Sequence, residues 1–323
     1  MTRIRDHGGD LGAAIARFGG TPEGWIDLST GINRVPFPLP GLPASAWRDL
    51  PGQASLEALK DTAQAGFHTR WPVLPLAGAQ AAIQLLPHLA PRGQARILGP
   101  TYNEYAAALA DAGWQATQVS DVAALAGADL AIVVNPNNPD GRTHSPDALR
   151  ALSAKTGLLV VDESFADAHP DLSLLPGTRP ENVIVLRSFG KFYGLAGVRL
   201  GFVLGDAAHL ARMAARAGPW AVSGPALEIG RAALADQDWT ARSIARLRQD
   251  GVRADALAAR AGWRPVGGTA LFRLFEVPDA TAARDRLAAA HIWSRIFPYS
   301  GCWLRLGLPG TEAEWSRLAA ALD

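Results

Sequence analysis

Several polar side chains follow directly after short apolar runs, where a buried strand would end. Asp162 follows one such run, and Ser188 and Lys191 follow another. Asn138 lies in the turn-rich segment 135–141, after a third run. A carboxylate at the end of an apolar strand is costly to bury unless a cation faces it. An amine, an acid and hydrogen-bond donors gathered in one place would suit covalent chemistry on amines.

Short apolar runs that alternate with Ala-rich helical stretches predict the elements that position these side chains. The pattern is typical of an α/β protein with a mostly parallel sheet and crossover helices. Ligands bind such sheets at the carboxyl ends of the strands, so the polar side chains should meet at one edge. The predicted strands are 73–76, 95–98, 115–119, 130–134, 158–161, 183–186 and 200–204. The predicted helices between them include 79–89, 105–111 and 146–154, the last beginning after Ser145 as N-cap.

The pattern changes near residue 219, which predicts a second domain. Long helical stretches give way to short apolar runs near 270–275 and 303–306, a pattern that favours a smaller α+β domain. The first fifty residues are rich in Pro and Gly and predict an arm or a lid. We therefore predict an N-terminal arm at 1–50, a large ligand-binding domain at 51–218 and a small C-terminal domain at 219–323.

Composition excludes several classes of function. The chain has 323 residues and a formal net charge of +1, which gives no electrostatic footprint for nucleic acid or an anionic membrane. No apolar run reaches the roughly 18 residues of a membrane helix. Residues 1–7 lack the apolar core of a signal peptide, and the single cysteine, Cys302, cannot form an intrachain disulfide. These features predict a cytoplasmic protein without nucleic-acid or membrane partners, and we predict no metal site.

One cofactor, pyridoxal 5'-phosphate, needs all of these groups together. It requires a lysine for its aldehyde and an acid for its pyridinium nitrogen. It also requires backbone amides at a helix start for its phosphate and an aromatic plate for its ring. Tyr102 can supply the plate, residues 78–80 the helix start, and Arg199 a further phosphate contact. Taken singly, the asparagines fit a simple turn, Lys191 a surface lysine and Arg199 a plain salt bridge.

The order and spacing of these motifs resemble the fold-type I pyridoxal-phosphate enzymes, the aspartate aminotransferase superfamily. The resemblance rests on Asn-Pro-Asn-Asn-Pro-Asp-Gly at 135–141, Asp-Glu at 162–163, Ser-Phe-Gly-Lys at 188–191 and Arg-Leu-Gly at 199–201. It implies a mostly parallel seven-stranded sheet, attachment of the cofactor to Lys191 and pairing of Asp162 with the pyridine nitrogen. It further implies that Asn138 contacts the phenolic oxygen and Tyr102 stacks on the ring. The residues implied at the cofactor phosphate are Gly78, Ala79, Gln80, Ser188 and Arg199.

The N-terminal region is similar to a narrower family, the threonine-phosphate decarboxylases of cobalamin biosynthesis. The similarity rests on His-Gly-Gly-Asp at 7–10 and Ile-Asp-Leu-Ser-Thr-Gly-Ile-Asn at 26–33. It implies a homodimer that decarboxylates L-threonine O-3-phosphate, a small phosphorylated amino acid, to (R)-1-aminopropan-2-yl phosphate. The implied substrate-binding residues are His7, Gly8, Asn33, Asn138, Arg295 and Arg305.

The sequence departs from the family pattern at two places, and two alternative functions remain. Many relatives have tyrosine where this chain has Phe165, and residues 50–55 lack the tyrosine that relatives lend to the partner's cofactor phosphate. The first alternative is a histidinol-phosphate aminotransferase or a related class I/II aminotransferase. The second is a nucleotide-binding or regulatory module. The missing Gly-x-Gly-x-x-Gly turn and the missing basic DNA-binding segment count against the second alternative.

Overall fold

The computed structural model describes residues 7–323, which form two compact units. The larger unit comprises Phe37–Asn138 and Arg142–Thr240. The smaller unit comprises the residues up to Pro36, the short segment Pro139–Gly141 and Ala241–Asp323.

The helices and strands of the larger unit alternate along the chain, as expected for crossover connections. Its strands are β2 (Val73–Leu76), β3 (Gln94–Leu98), β4 (Gln115–Val119), β5 (Leu130–Val134), β6 (Leu158–Asp162), β7 (Val183–Ser188) and β8 (Gly201–Leu204). Its helices are α2 (Ala44–Arg48), α3 (Gln53–Gly66), α4 (Ala79–Leu85), α5 (Glu104–Asp111), α6 (Pro146–Ser153), α7 (Phe189–Phe192), α8 (Ala207–Ala217) and α9 (Gly224–Ala235).

The remaining elements belong mainly to the smaller unit. Its strands are β1 (Ile26–Asp27), β9 (Arg264–Thr269), β10 (Phe272–Glu276), β11 (Ile292–Trp293), β12 (Arg295–Phe297) and β13 (Ser300–Gly307). Its helices are α1 (Leu11–Phe18), the greater part of α10 (Gln237–Arg260), α11 (Ala280–Ala289) and α12 (Glu312–Leu322).

A seven-stranded sheet forms the centre of the larger unit, in the order β2-β8-β7-β6-β5-β3-β4. Strands β3, β4, β5, β6 and β7 all run parallel to one another. Strand β8 lies between β7 and β2 and is antiparallel to both. The α/β fold class and the seven predicted strands are therefore confirmed. Every residue of β5 and β6 is buried, which explains their unbroken apolar sequences. Since β2 runs in the same direction as β7, the segments after β2, β5, β6 and β7 lie at one edge of the sheet.

Side-chain caps fix where several helices begin. Ser145 accepts a hydrogen bond from the backbone N–H of Ala148, and Pro146 occupies the first helical position, as predicted. Each cap of this type contributes about 1 kcal/mol to helix stability. A side chain also accepts a hydrogen bond from a backbone N–H of the first turn in five further helices. These helices are α1, α8, α9, α11 and α12, and their N-caps are Asp10, Asp206, Ser223, Asp279 and Thr311.

The smaller unit is built on an antiparallel sheet in the order β12-β13-β10-β9. The N-terminal segment is part of this unit, because β1 pairs in parallel with β11 and the side chains of Trp25, Ile26 and Leu28 are buried. Helix α1 packs its buried Ala14 near Ala288 in a small apolar cluster. Residues 7–36 thus differ from the predicted separate arm, while residues 1–6 of that prediction lie outside the described residues.

The predicted boundary at residues 218–219 does not coincide with the end of the larger unit, which extends to Thr240. Helix α9 packs along α3 and contacts α2, so it groups with the larger unit although it follows residue 218. Close packing explains this grouping, because a Cβ added at Gly224 would lie 2.3 Å from the Ala46 carbonyl oxygen. The ranges 1–50, 51–218 and 219–323 stay predictions of the domain organisation.

Neither a membrane span nor a metal-ligand cluster occurs among residues 7–323. None of the described helices is both long and apolar enough to cross a bilayer. The same part of the chain has no group of three or more His, Cys, Asp or Glu side chains placed to hold a metal ion.

Candidate active site

Asp162 is the last residue of β6 and is buried at the carboxyl edge of the central sheet. Its Oδ2 atom accepts a hydrogen bond of 2.6 Å from the Tyr105 hydroxyl. Its Oδ1 atom accepts one of 2.9 Å from the backbone N–H of Ser164. Both carboxylate oxygens are therefore fixed by protein donors, which sets the orientation of the acid.

Tyr105, on the first turn of α5, was not among the residues predicted from the sequence. Burial, with Asp162 beside it, raises the pKa of the Tyr105 hydroxyl well above its ordinary value. The hydroxyl keeps its proton at every physiological pH, so it is the donor to the Asp162 carboxylate. Tyr105 lies one helical turn after the predicted ring-stacking residue Tyr102, and this spacing is the one sequence signal that points to it.

Lys191 lies in the short helix α7, directly after β7. The flanking side chains of Phe189 and Phe192 are buried and anchor the helix, while Lys191 itself is half-buried. The Lys191 Nζ atom lies 5.4 Å from the centre of the Phe165 ring. Gly190 allows this turn to approach the following loop, because a Cβ there would lie 2.7 Å from the Ala196 Cα.

Four of the predicted phosphate-binding residues meet where β2, β7 and β8 come together. Gly78, at φ 83°, begins α4, and a Cβ at that position would lie 2.8 Å from the Arg199 guanidinium. Arg199 has left-handed backbone geometry with φ 55°. Ser188 pairs with Gly201, where a Cβ would lie 2.5 Å from the backbone nitrogen of Ala79. The backbone thus forms a cradle of amide and guanidinium groups that only glycine permits at two positions.

Tyr102 and Gln80 connect this cradle to the start of α5. The Tyr102 hydroxyl donates a hydrogen bond of 3.3 Å to Gln80 Oε1, and Gln80 Nε2 donates one of 2.8 Å to Glu104. The rings of Tyr102 and Tyr105 contact each other edge to face at 6.4 Å. Tyr102 is half-buried, whereas Tyr105 is fully buried beneath it.

The asparagine-rich loop after β5 is held by its first and second asparagines, Asn135 and Asn137. Asn135 bonds the backbone of His144 through both its amide nitrogen and its oxygen. Asn137 accepts from the Thr101 hydroxyl at 2.7 Å and donates to the Pro100 carbonyl at 3.0 Å. These bonds fix the loop that carries Asn138, which is half-buried at the end of the segment.

A buried ion triad supports the same edge of the sheet. Arg187, next to Ser188 in β7, lies between Glu163 at 3.1 Å and Asp167 at 2.6 Å. Glu163 also accepts from the Ser173 hydroxyl and the Leu174 backbone. The two carboxylates hold the pKa of Arg187 above its ordinary value despite burial, whereas burial raises the pKa of Glu163. The triad fixes the residues that directly follow Asp162 and directly precede Ser188.

The donor set of the larger unit fits pyridoxal 5'-phosphate. Asp162 is an acid with a fixed orientation, Lys191 is a half-buried amine, and Tyr102 offers an aromatic face. Gly78 lets its backbone lie against the Arg199 guanidinium, and Gly201 lets its backbone lie against residues 78–79, which gathers amide and guanidinium donors at the start of α4. An acid, an amine and a glycine-lined anion cradle at one sheet edge are what this cofactor requires.

A second cationic cluster lies in the smaller unit. Arg295 of β12 and Arg305 of β13 are direct partners in the antiparallel register, so their side chains share a face. Arg305 is buried, donates to the Ser29 carbonyl at 2.7 Å and lies 4.9 Å from the centre of the Phe272 ring. Burial, and then the nearby charge of Arg295, lowers the pKa of Arg305 to about 10. Two guanidinium groups this close favour an anion between or beside them.

Three of the predicted substrate-binding residues line one cavity of about 560 Å³ in the smaller unit. His7 and Gly8 contribute from the N-terminal segment and Arg295 from β12, beside Arg284 and Ser294. Gly8 lies close to the segment that follows β1, because a Cβ at Gly8 would lie 2.6 Å from the carbonyl oxygen of Ser29. The structure therefore brings the His-Gly pair and Arg295 together.

Other residues of the smaller unit hold the Asn33 side chain. It is buried, and its side-chain oxygen accepts from Arg246 at 2.6 Å and from the Val35 backbone at 3.0 Å. Arg246 in turn contacts Asp250 of the same helix, α10. Asn33 does not line the cavity of His7 and Arg295.

Comparison with known proteins places the chain in a family. The aminotransferase class I and II family model matches residues 50–322, so the chain belongs to that family and the predicted superfamily is confirmed. A threonine-phosphate decarboxylase of a Sinorhizobium species is 46% identical over 98% of this chain and 97% of the relative. A threonine-phosphate decarboxylase of Pseudomonas aeruginosa is 42% identical, with the same coverage of both chains.

Solved structures confirm the fold. A histidinol-phosphate aminotransferase from Sinorhizobium meliloti, solved in complex with pyridoxal-5'-phosphate, has a TM-score of 0.80 to this chain. The match covers 99% of this chain and 94% of the other at 21% identity. At that identity the likeness establishes a shared fold-type I architecture.

Proposed function

We propose that this chain is a pyridoxal-phosphate-dependent lyase that converts L-threonine O-3-phosphate to (R)-1-aminopropan-2-yl phosphate and carbon dioxide. The observation that carries the proposal is the near-full-length similarity to two threonine-phosphate decarboxylases. The paired arginines of the smaller unit suit a substrate that carries both a carboxylate and a phosphate.

The cofactor is pyridoxal 5'-phosphate, and the residues of the larger unit provide its binding groups. Lys191 would join its aldehyde, Asp162 its pyridine nitrogen and Asn138 its phenolic oxygen, while Tyr102 would cover its ring. The residues proposed at its phosphate are Gly78, Ala79, Gln80, Ser188 and Arg199. When bound, the cofactor supplies an electron-accepting ring conjugated to the substrate Cα.

The chain's own residues would determine which Cα bond breaks. Arg305 would bind the substrate carboxylate and Arg295 the substrate phosphate, with His7, Gly8, Asn33 and Asn138 as further contacts. In a decarboxylation the bond from Cα to the carboxylate breaks, carbon dioxide leaves and a proton takes its place on Cα. Lys191 is the acid of this chain that would deliver the proton. Binding both anions would orient the substrate so that the bond from Cα to the carboxylate breaks rather than the Cα–H bond.

An aminotransferase acting on histidinol phosphate is the second candidate, favoured by membership of the aminotransferase class I and II family. An aminotransferase would orient its substrate so that the Cα–H bond breaks, with Lys191 as the base that would take the proton. Both reactions use the same lysine and acid, so the difference lies in how the anions of the substrate are held.

One pair of assays distinguishes the two functions. Holoenzyme given O-phosphothreonine should release carbon dioxide in stoichiometric amounts with aminopropanol phosphate, and no 2-oxo acid should be needed. Holoenzyme given histidinol phosphate and 2-oxoglutarate should form no glutamate. Glutamate formation without carbon dioxide release would favour the aminotransferase.

A homodimer is proposed from an exposed apolar cluster of the larger unit. Four large apolar side chains, each between 59% and 69% exposed, are Leu39, Trp47, Leu50 and Trp220. Leu39 and Trp47 line an open groove beside the segment 194–198, which leads to Arg199. Apolar clusters of this kind mark association surfaces, and a second copy of the chain would cover them. We also propose a cytoplasmic location and a role in cobalamin biosynthesis, by analogy with the decarboxylase relatives.

A further inference from the structure

We propose that Tyr105 is the positioning residue for the cofactor acid: its hydroxyl fixes the Asp162 carboxylate in the orientation that pairs with the pyridine nitrogen. The proposal rests on the proposed cofactor-binding role of Asp162. It concerns cofactor binding, so it can be tested separately from the choice between decarboxylation and amino transfer.

The Tyr105 hydroxyl donates the hydrogen bond and the Asp162 carboxylate accepts it. The Tyr105 hydroxyl is 2.6 Å from Asp162 Oδ2, a short bond of the charge-assisted kind. Tyr105 is 1% exposed and Asp162 4% exposed, so water does not compete for either partner. Asp162 accepts two hydrogen bonds, from the Tyr105 hydroxyl and from the Ser164 backbone, so both carboxylate oxygens are held in place.

Tyr105 also connects Asp162 to the rest of the proposed cofactor site through α5. Tyr105 and Tyr102 lie three residues apart at the start of this helix, and their rings are in contact. Glu104, between them, accepts from Gln80 at the start of α4. The first turn of α5 therefore contacts three parts of the proposed cofactor site. Tyr105 bonds Asp162 and touches the Tyr102 ring, and Glu104 bonds Gln80.

A packing role alone does not require the hydroxyl of Tyr105. A phenylalanine would fill the same buried space, whereas a tyrosine places one polar atom against the carboxylate. Tyr193 provides a matched comparison, because it is equally buried in the larger unit and its hydroxyl is hydrogen-bonded to Thr240 instead. Removing either hydroxyl deletes one buried hydrogen bond, but only Tyr105 bonds the acid.

The test compares Tyr105→Phe with Tyr193→Phe in the holoenzyme. We expect Y105F to weaken pyridoxal-phosphate binding by about tenfold, because a hydrogen bond to a charged group is lost. The pH midpoint of the visible absorbance change of the bound cofactor should rise by about one unit, because the pyridine nitrogen holds its proton less firmly. The Y193F protein should match the parent in both readouts. Thermal unfolding of the apoproteins should show similar losses for both variants.

A double-variant cycle with Asp162→Asn decides whether Tyr105 acts through the acid. In the D162N background, adding Y105F should change the cofactor dissociation constant by less than about twofold. The proposal is overturned if Y105F and Y193F have equal cofactor affinity and equal absorbance titrations. It is also overturned if the effects of Y105F and D162N are additive. Cofactor binding that is normal in D162N would instead count against the proposed role of Asp162 itself.

Discussion

Lys191 places its ammonium nitrogen 5.4 Å from the centre of the Phe165 ring, three residues beyond Asp162. A ring face at this distance attracts a cation and excludes water from one side of the amine. Phe165 is buried, so the contact is fixed by the core of the larger unit. Phe165 thus provides an apolar wall for the proposed attachment site.

Replacement of Lys191 by alanine tests the covalent attachment. The sequence contains three lysines, Lys60, Lys155 and Lys191, so the attachment site can be mapped without ambiguity. Lys191→Ala should lose the visible absorbance of the bound cofactor and all turnover, whereas the exposed Lys155→Ala should keep both. Borohydride reduction followed by peptide mass analysis should place the cofactor on Lys191. Label on either of the other lysines would contradict the assignment.

Arg295 provides the test of phosphate recognition. Arg295→Ala should raise the KM for O-phosphothreonine by about tenfold or more, because a charge-assisted contact to the phosphate is lost. The cofactor spectrum should stay unchanged, since Arg295 is not among the proposed cofactor-binding residues. Arg286, exposed on α11, is a matched control, and its alanine variant should behave as the parent. Unchanged substrate affinity in R295A would exclude Arg295 as the phosphate contact.

The lowered pKa of Arg305 predicts a pH dependence of anion binding. Arg305 is charged below a pKa of about 10 and loses its charge as the pH rises through that value, whereas an ordinary arginine would stay charged. Affinity for a carboxylate-bearing substrate analogue, measured calorimetrically, should therefore hold through pH 9 and fall near pH 10. Arg305→Gln should bind weakly throughout and lack the decrease near pH 10. A parent profile with no decrease by pH 11 would contradict the prediction.

The buried triad around Arg187 predicts a large stability effect. Arg187→Met would leave Glu163 and Asp167 buried without their cation, so the free energy of unfolding should fall by about 3–5 kcal/mol. Urea denaturation followed by circular dichroism measures the loss. Arg264→Ala removes an exposed arginine paired with Glu276 and should change stability little. Equal losses of unfolding free energy in the two variants would show that the buried triad does not stabilise the fold more than an exposed ion pair does.

The exposed apolar cluster predicts the association state. Trp47→Glu should convert a dimer into a monomer in sedimentation velocity, because a charge would be buried in an apolar contact. Val252→Glu, at a similarly exposed apolar position of the smaller unit, should leave the dimer intact. A parent protein that sediments as a monomer would remove the basis for the proposed homodimer.

The sequence predicted the central sheet well because its strands are buried on both faces. Strands such as β5 and β6 are unbroken apolar runs, and polar motifs mark their ends, so strand position and site position come from the same signal. The cap at Ser145 is equally local, since both partners lie within four residues.

Long-range contacts were the part that the sequence could not predict. Tyr105 and Asp162 are 57 residues apart, and nothing in the local pattern pairs them. The bond from Arg246 to Asn33 spans 213 residues, and it places Asn33 in an environment that motif similarity did not indicate. The Pro- and Gly-rich N-terminal segment resembled an irregular arm, yet Trp25 is buried, and its backbone and indole N–H groups bond to the carbonyls of Pro22 and Gly19.

The close contact between Gly78 and Arg199 has a practical consequence. Arg199 has left-handed backbone geometry, and its guanidinium lies beside Gly78, which has no side chain. Because we propose that these residues bind the cofactor phosphate, we expect the same groups to bind free inorganic phosphate in competition with it. Phosphate buffer should therefore slow the reloading of stripped enzyme, and a zwitterionic buffer should restore the rate.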